Sequence, residues 1–201
     1  MPGRIVLASD NPGKLAEIRQ LLERLEVVLL SQAEFGIEAP PESGTTFTEN
    51  ALIKARHAAH IAGMPAIADD SGLVVDALDG RPGVHSARYA GLRATDNQNI
   101  DALLAELGDL PDDARTASFQ CAAVHVAHVG DTRPLVAVGR WAGRILGTRR
   151  GHGGFGYDPV FYDPELGRTA AEMSALDKNR VSHRGQAFRG LSDLLARRAS
   201  P

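Results

Sequence analysis

The sequence predicts an α/β fold built on a mixed β-sheet flanked by helices. The N-terminus reads as strand, tight loop and helix in immediate succession, the opening of an α/β unit. Further strand-like runs then alternate with helical periodicity as far as Leu107. Two long strand-like runs, RTASFQCAAVHVAHV and PLVAVGRWAGRIL, are joined by the turn GDTRP, and an antiparallel pair of this kind makes the sheet mixed.

RIVLA (4–8) is a short buried strand, and SDNPGK (9–14) is dense in turn formers. From Lys14 a helical pattern runs through Leu15, Ile18, Leu21, Leu22 and Leu25. VVLLS (27–31) is a second strand, followed by the loop IEAPPESGTT (37–46). Thr46 and Glu49 have the spacing of a capping box, in which each residue satisfies the other's backbone N–H. The helix after it buries Ala51, Leu52, Ala55, Ala58, Ala59 and Ala62 and stops near Gly63 and Pro65. Its other face aligns Asn50, Lys54 and His57. PAIADD and LVVDAL are strand candidates, and GRPGVHSARYAG is irregular. Thr95 to Leu107 is a helix with Ile100, Leu103, Leu104 and Leu107 on its apolar side. After the two long strands, GTRRGHGGFGYDP is rich in glycine and VFYD is a short strand. A last helix starts near Ser182 and buries Ala187, Phe188, Leu191, Leu194 and Leu195.

The 201 residues suffice for a substantial core, as one domain or two closely packed lobes. A net charge of −3 argues against broad binding to nucleic acid or acidic membranes, but leaves room for a local basic pocket. The single cysteine, Cys121, excludes an internal disulfide and suits a reducing, cytoplasmic compartment. No apolar run approaches the ~18 residues of a membrane span, and the apolar stretch at the start is too short for a signal peptide. Of 22 basic residues only three are lysines: Lys14, Lys54 and Lys178. Where a compact point charge is needed, arginine is no equivalent, so the surroundings of these three are informative.

In IADDSGLVVDAL (67–78) two carboxylates stand side by side between apolar runs. In a strand, one of the two would face the core, where a lone carboxylate is costly. Taken alone, the motif favours a strand that ends at Ala68 and enters a hydrated Asp-Asp-Ser-Gly turn. SDNPGK points its free backbone N–H groups above the loop, where anions are favoured. Lys14 in that first helical turn opposes the helix dipole by roughly 0.3–1 kcal/mol unless a polyphosphate reverses the sign. The alternative is an ordinary capped turn. GHGGFG (151–156) matches G-x-G-x-x-G, but prolines and strand formers follow it instead of a helix, so a dinucleotide fingerprint is rejected. Phe155 and Tyr157 either face a flat ligand or join the core. In LDKNRVSHRGQAF, Ser182 as N-cap puts His183 and Arg184 in a first turn, where an anion or acceptor-rich ligand, or solvent, would receive them. Glu42, Glu49, Asp69 and Asp70 flank Lys54, and such hard oxygen donors beside phosphates suit Mg²⁺. The histidines have no zinc spacing, and no G-x-S-x-G elbow is present.

SDNPGK, FTENALIKARHAA, ADDSGLVVDAL, GRPGVHSARYAG, GGFGYDPVF and LDKNRVSHRGQA, in that order, resemble the inosine triphosphate pyrophosphatases, the XTP/dITP diphosphatase family. The resemblance covers nearly the whole chain and implies a single nucleoside triphosphate pyrophosphatase domain over residues 1–201. It implies an elongated mixed sheet, two lobes with a nucleotide cleft between them, and a homodimer. It implies Mg²⁺-assisted attack of water on the α-phosphorus of ITP, dITP or XTP, releasing the monophosphate and pyrophosphate. On matching positions, Ser9, Asn11 and Lys14 would bind the phosphates, with Asp10, Pro12 and Gly13 in the same substrate-binding loop. Glu42 and Asp70 would hold the metal, with Asp70 as proton acceptor. Lys54 and Asp69 would support that centre, and Ser71 would touch substrate. Phe155, Gly156, Tyr157, Asp158, Lys178, His183 and Arg184 would form the base and sugar pocket. Ser43 stands where family members often carry threonine. A non-catalytic nucleotide sensor and a phosphatase releasing single phosphates are the competing readings.

Overall fold

The computed structural model describes residues 3–23, 25 and 27–199. Seven strands form one sheet in the order β2-β1-β3-β4-β5-β6-β7. They are β1 (Gly3–Ala8), β2 (Val27–Ser31), β3 (Ala66–Val75), β4 (Thr116–Val126), β5 (Leu135–Ile145), β6 (Phe161–Asp163) and β7 (Arg168–Thr169). The helices are α1 (Pro12–Leu21), α2 (Phe47–Ala62), α3 (Asp96–Leu107), α4 (Ala175–Val181) and α5 (His183–Ala199). The sheet is mixed: β1 runs parallel to β2 and β3, and β6 runs antiparallel to β5 and β7. The chain falls into two compact units, one comprising residues 1–70, 121–139 and 184–201 and the other residues 71–120 and 140–183.

In the first unit strand alternation supplies two apolar faces. Val6 and Ala8 of β1, with Ala66 and Ala68 of β3, pack with Ala51, Ala55, Ala58 and Ala59 of α2. Ile5, Leu7 and Ile67 point the other way and join Ile18 of α1 and Ala187, Phe188 and Leu191 of α5. The alanine-rich face of α2 lets the helix lie close to the sheet. Both ends of α2 are fixed locally, by the Thr46/Glu49 capping box and by Gly63 in the left-handed conformation. Leu52 and Ala62 of α2 and Leu194 and Leu195 of α5 are half-buried, not buried.

The core of the second unit gathers Leu73 and Val75 of β3, Ile100, Leu103 and Leu107 of α3, and the aromatic cluster of Phe119, Trp141 and Phe161. Phe119 and Phe161 lie 4.4 Å apart between ring centroids, and the Trp141 indole N–H donates to Asp163 at 2.8 Å. Thr95 and Gln98 cap the N-terminus of α3 reciprocally.

Two further expectations are corrected. β3 does not end at Ala68: it passes through Asp69, Asp70, Ser71 and Gly72 to Val75 as one strand, so there is no hydrated turn. Lys178 does not precede a single terminal helix but lies in a separate short helix, α4, which Ser174 caps by accepting the Asp177 N–H. A sequence of seven helical residues is too short to show clear periodicity.

Candidate active site

Because successive side chains of a strand point to opposite faces, the continuity of β3 sends Asp69 and Asp70 into different surroundings. Asp69 shares the face of Ile67, against α1 and α5; Asp70 shares the face of Ala66 and Ala68, against α2. Both are buried, at 1% and 5% relative exposure, so each must find its partners within the protein.

Asp69 finds cations on both helices that cover its face. Lys14 Nζ lies 3.2 Å from Oδ2, and Arg184 Nε lies 3.4 Å from the same oxygen. Arg184 also donates to Glu17 of α1 at 2.5 Å. Burial opposes ionisation of Asp69, but Lys14, then Arg184 and Lys54, outweigh it and hold its carboxyl well below the usual range. Asp69 is therefore a fixed anion. Burial also pushes up the neighbouring Cys121 thiol, which keeps it protonated.

Asp70 is held by two residues one turn apart on α2. Lys54 Nζ donates to Oδ1 at 2.8 Å and Asn50 Nδ2 to Oδ2 at 3.2 Å. Lys54 reaches Glu42 Oε1 as well, at 3.0 Å. Here burial dominates, and the Lys54 and Lys14 charges offset it only in part, so the carboxyl is raised above its ordinary value. Two adjacent carboxylates with proton affinities driven apart are the usual signature of a division of labour, one as permanent charge and the other as proton carrier.

The SDNPGK segment runs into α1, with Asn11 as its N-cap and Pro12 at the first helical position. Asn11 Oδ1 accepts the Lys14 backbone N–H at 3.0 Å, and Ser9 Oγ accepts that of Asn11 at 3.4 Å. Asp10 accepts from the buried Gln32 side chain. Gly13 lies in the first turn. The third face residue of α2, His57, meets the Glu38 carbonyl oxygen at 3.1 Å.

The second unit holds another lysine–carboxylate pair. Lys178 Nζ donates to Asp158 Oδ2 at 2.5 Å and lies 4.8 Å from the Phe155 ring centroid. Asp158 also accepts the Phe155 N–H at 3.0 Å, and a Cβ on Gly154 would overlap its carboxylate. Gly156, at φ 59°, donates its N–H to Asp96 at 2.7 Å. Of the two rings that sequence left between ligand and core, Tyr157 is in the core, with its hydroxyl donating to the Ser86 carbonyl at 2.8 Å, while Phe155 is half-buried. His183 is buried and stacks on Phe119 at 4.8 Å and 15°. Arg184, the next residue, is buried too, so neither belongs to a solvated helix start. Ser71 follows Asp70 on β3 and is half-buried. All three lysines are thus paired with carboxylates and largely withdrawn from solvent, with side-chain exposures of 16%, 11% and 6% in chain order.

A family model, that of the Ham1 family, matches residues 5–194. The chain belongs to the Ham1 family. It is 54% identical over 192 residues to a dITP/XTP pyrophosphatase of Photorhabdus laumondii, covering 96% of this chain and 98% of that one. It is 55% identical over 188 residues to a dITP/XTP pyrophosphatase of Halorhodospira halophila, covering 94% of each. Among solved structures, a HAM1 protein from Coxiella burnetii superposes with a TM-score of 0.91 at 49% identity, covering 98% of this chain and all of that chain. The Staphylococcus aureus Ham1 protein gives 0.86 at 38% identity, with 97% and 99% covered.

Several residues that hold the candidate site residues within each unit are not among the sequence candidates. Glu17, Gln32, Asn50, Ser86 and Asp96 each fix a candidate site residue through a side-chain contact or a backbone carbonyl. Asn50 left a trace in the sequence as the residue one turn before Lys54 on the same helix face, and Ser86 lies within GRPGVHSARYAG.

Proposed function

We propose that the chain hydrolyses the non-canonical purine triphosphates ITP, dITP and XTP to the monophosphate and pyrophosphate, clearing deaminated purines from the nucleotide pool. The observation that carries this reading is geometric: Asp69 and Asp70 face opposite sides of β3, the first held by Lys14 and Arg184 and the second by Lys54 and Asn50. It is supported by relatives more than 50% identical over nearly the full chain that are named dITP/XTP pyrophosphatases.

In this reading Asp70 takes the proton of the water that attacks the α-phosphorus. Lys54 and Asn50 hold it in place. Lys14, kept near by Asp69, offsets charge on the leaving pyrophosphate, with Ser9, Asp10, Asn11, Pro12 and Gly13 forming the phosphate loop. Phe155 faces the base, Lys178 and Asp158 order that loop, and donors of His183 and Arg184 pair with the 6-oxo group. Adenine carries an amino donor there and would leave those groups unmatched.

Glu42 and Asp70 would hold Mg²⁺. The donors fit: two carboxylates already converge on one cationic group, Lys54 Nζ. Among the described residues no cluster of three or more acidic, histidine or cysteine side chains could hold a metal. Mg²⁺ takes one or two carboxylates and completes its shell with phosphates and water. When bound, Mg²⁺ would supply positive charge to the phosphate oxygens. We further assign a cytoplasmic homodimer acting on free nucleotides, without a nucleic-acid or membrane partner. Among the described residues no helix is long and apolar enough to cross a membrane.

Incubation with a panel of triphosphates and Mg²⁺ tests the reading. Pyrophosphate should appear in step with monophosphate from ITP, dITP and XTP, and ATP should turn over far more slowly. Asp70→Asn should lose turnover by about 10²–10⁴-fold while still binding nucleotide. Release of inorganic phosphate would make the protein a phosphatase, and tight binding without turnover would make it a sensor.

A further inference from the structure

The side chain of Asn50 is fully buried and joins two parts of the candidate centre that are distant in sequence. Its Oδ1 accepts the backbone N–H of Gly44 at 2.8 Å, and its Nδ2 donates to Asp70 Oδ2 at 3.2 Å. One turn later Lys54 repeats the bridge, reaching Glu42 at 3.0 Å and Asp70 Oδ1 at 2.8 Å. Helix α2 therefore grips both the loop that carries Glu42 and both oxygens of Asp70, through two successive rungs.

The two rungs differ in chemistry. Lys54 attracts both carboxylates through charge and tolerates a range of geometries. The Asn50 amide is directional, because it offers an acceptor to one partner and a donor to the other, and only one rotation of the amide satisfies both. Aspartate would keep the acceptor but put a second carboxylate against Asp70; alanine would remove both contacts. The loop side of the bridge is equally constrained. A Cβ on Gly44 would lie 2.6 Å from Glu49 Cβ, 2.7 Å from Asn50 Oδ1 and 3.0 Å from the Asn50 backbone nitrogen. The adjoining Thr45 and Thr46 N–H groups are pinned by Glu49 at 2.7 and 3.1 Å. Loop, helix start and carboxylate thus form one connected hydrogen-bonded unit.

We propose that Asn50 is a positioning residue that fixes the Asp70 carboxylate plane and docks the Glu42 loop against it. The proposal rests on Asp70 being the proton acceptor. Orientation of a base matters in the transition state more than in substrate binding, so loss of Asn50 falls on kcat and spares KM. Removal of such an outer partner typically costs 10–100-fold in activity.

The test uses Asn50→Asp, Asn50→Ala and Gly44→Ala, each first checked for folding by circular dichroism and thermal melting. Wild-type turnover of dITP is established beforehand, so that its absence would count against the proposed function and not against Asn50. The expected result is a fall in kcat of about 10–100-fold for Asn50→Asp and Asn50→Ala, with KM within about threefold. Gly44→Ala, which attacks the bridge from the loop side, should show the same kcat-weighted loss even where an Asn50 variant fails to fold. Independently of activity, amide hydrogen exchange at Gly44 should speed up in Asn50→Ala and stay slow in Asn50→Asp. Folded variants with kcat near that of the wild type, a loss confined to KM, or unchanged Gly44 exchange in Asn50→Ala would each overturn the proposal.

Discussion

Replacing Asp69 by asparagine should destabilise the protein far more than the same change at Asp70, although the two residues are adjacent. Asp69→Asn removes the anion that faces Lys14 at 3.2 Å and Arg184 at 3.4 Å, where the Arg184 side chain is 2% exposed. Removing one partner of a buried ion pair generally costs 3–5 kcal/mol, because the other charge stays buried. Arg184 keeps Glu17, and asparagine can still accept one hydrogen bond, which places the expected loss near the lower end, about 3 kcal/mol. At roughly 2–4 °C per kcal/mol for a chain of this size, the melting temperature should fall by about 6–12 °C. Asp70 differs because burial already disfavours its charge, and Lys54 retains Glu42 after the change. Asp70→Asn should therefore cost only about 1–2 kcal/mol, the order of one perturbed hydrogen bond. Urea denaturation near neutral pH with EDTA present, followed by fluorescence and circular dichroism to check that the transitions coincide, measures both. If Asp69→Asn were no less stable than Asp70→Asn, the division between a fixed anion and a proton carrier would be wrong.

Other outcomes follow from the same structure. Phe155→Leu should raise KM for dITP by about 5- to 150-fold, the equivalent of losing a base–aromatic stack of roughly 1–3 kcal/mol, with kcat little changed in steady-state kinetics. His125 is buried in β4 with no partner for Nδ1 among the described residues, and burial, then Arg198, lowers its pKa, against the opposing charge of Asp131. The unfolded chain thus takes up the proton first, so stability falls as pH drops below about 6.5. Denaturation curves of His125→Phe between pH 7 and 5 should be flatter than those of the wild type, and equal slopes would contradict this. Chelation with EDTA should stop turnover without altering the circular dichroism spectrum, and added Mg²⁺ should restore it.

Most strands and helices were legible because periodicity and caps are local. VVLLS became β2 without change, and the Thr46/Glu49 box opened α2 as its spacing required. The Asp69–Asp70 strand was not legible. Local rules put a hydrated turn there because they cannot see Lys14, Asn50, Lys54 and Arg184, the last of them 115 residues away, which together make burial tolerable. Lys54 meets two of the carboxylates that flank it in sequence, Glu42 and Asp70, whereas the partners of Lys14 and Lys178, Asp69 and Asp158, come from the tertiary fold. The tandem aromatics of GGFGYDP looked equivalent in sequence, yet one ring went to the core. Tyr157 has a buried carbonyl acceptor on Ser86, and only the tertiary fold supplies that.

Hydrolysis of dITP in heavy-oxygen water, with mass analysis of both products, tests the central claim most directly. Attack at the α-phosphorus predicts label in the deoxyinosine monophosphate and none in the pyrophosphate. Label in pyrophosphate or in free phosphate would place the attack at another phosphorus and contradict the account.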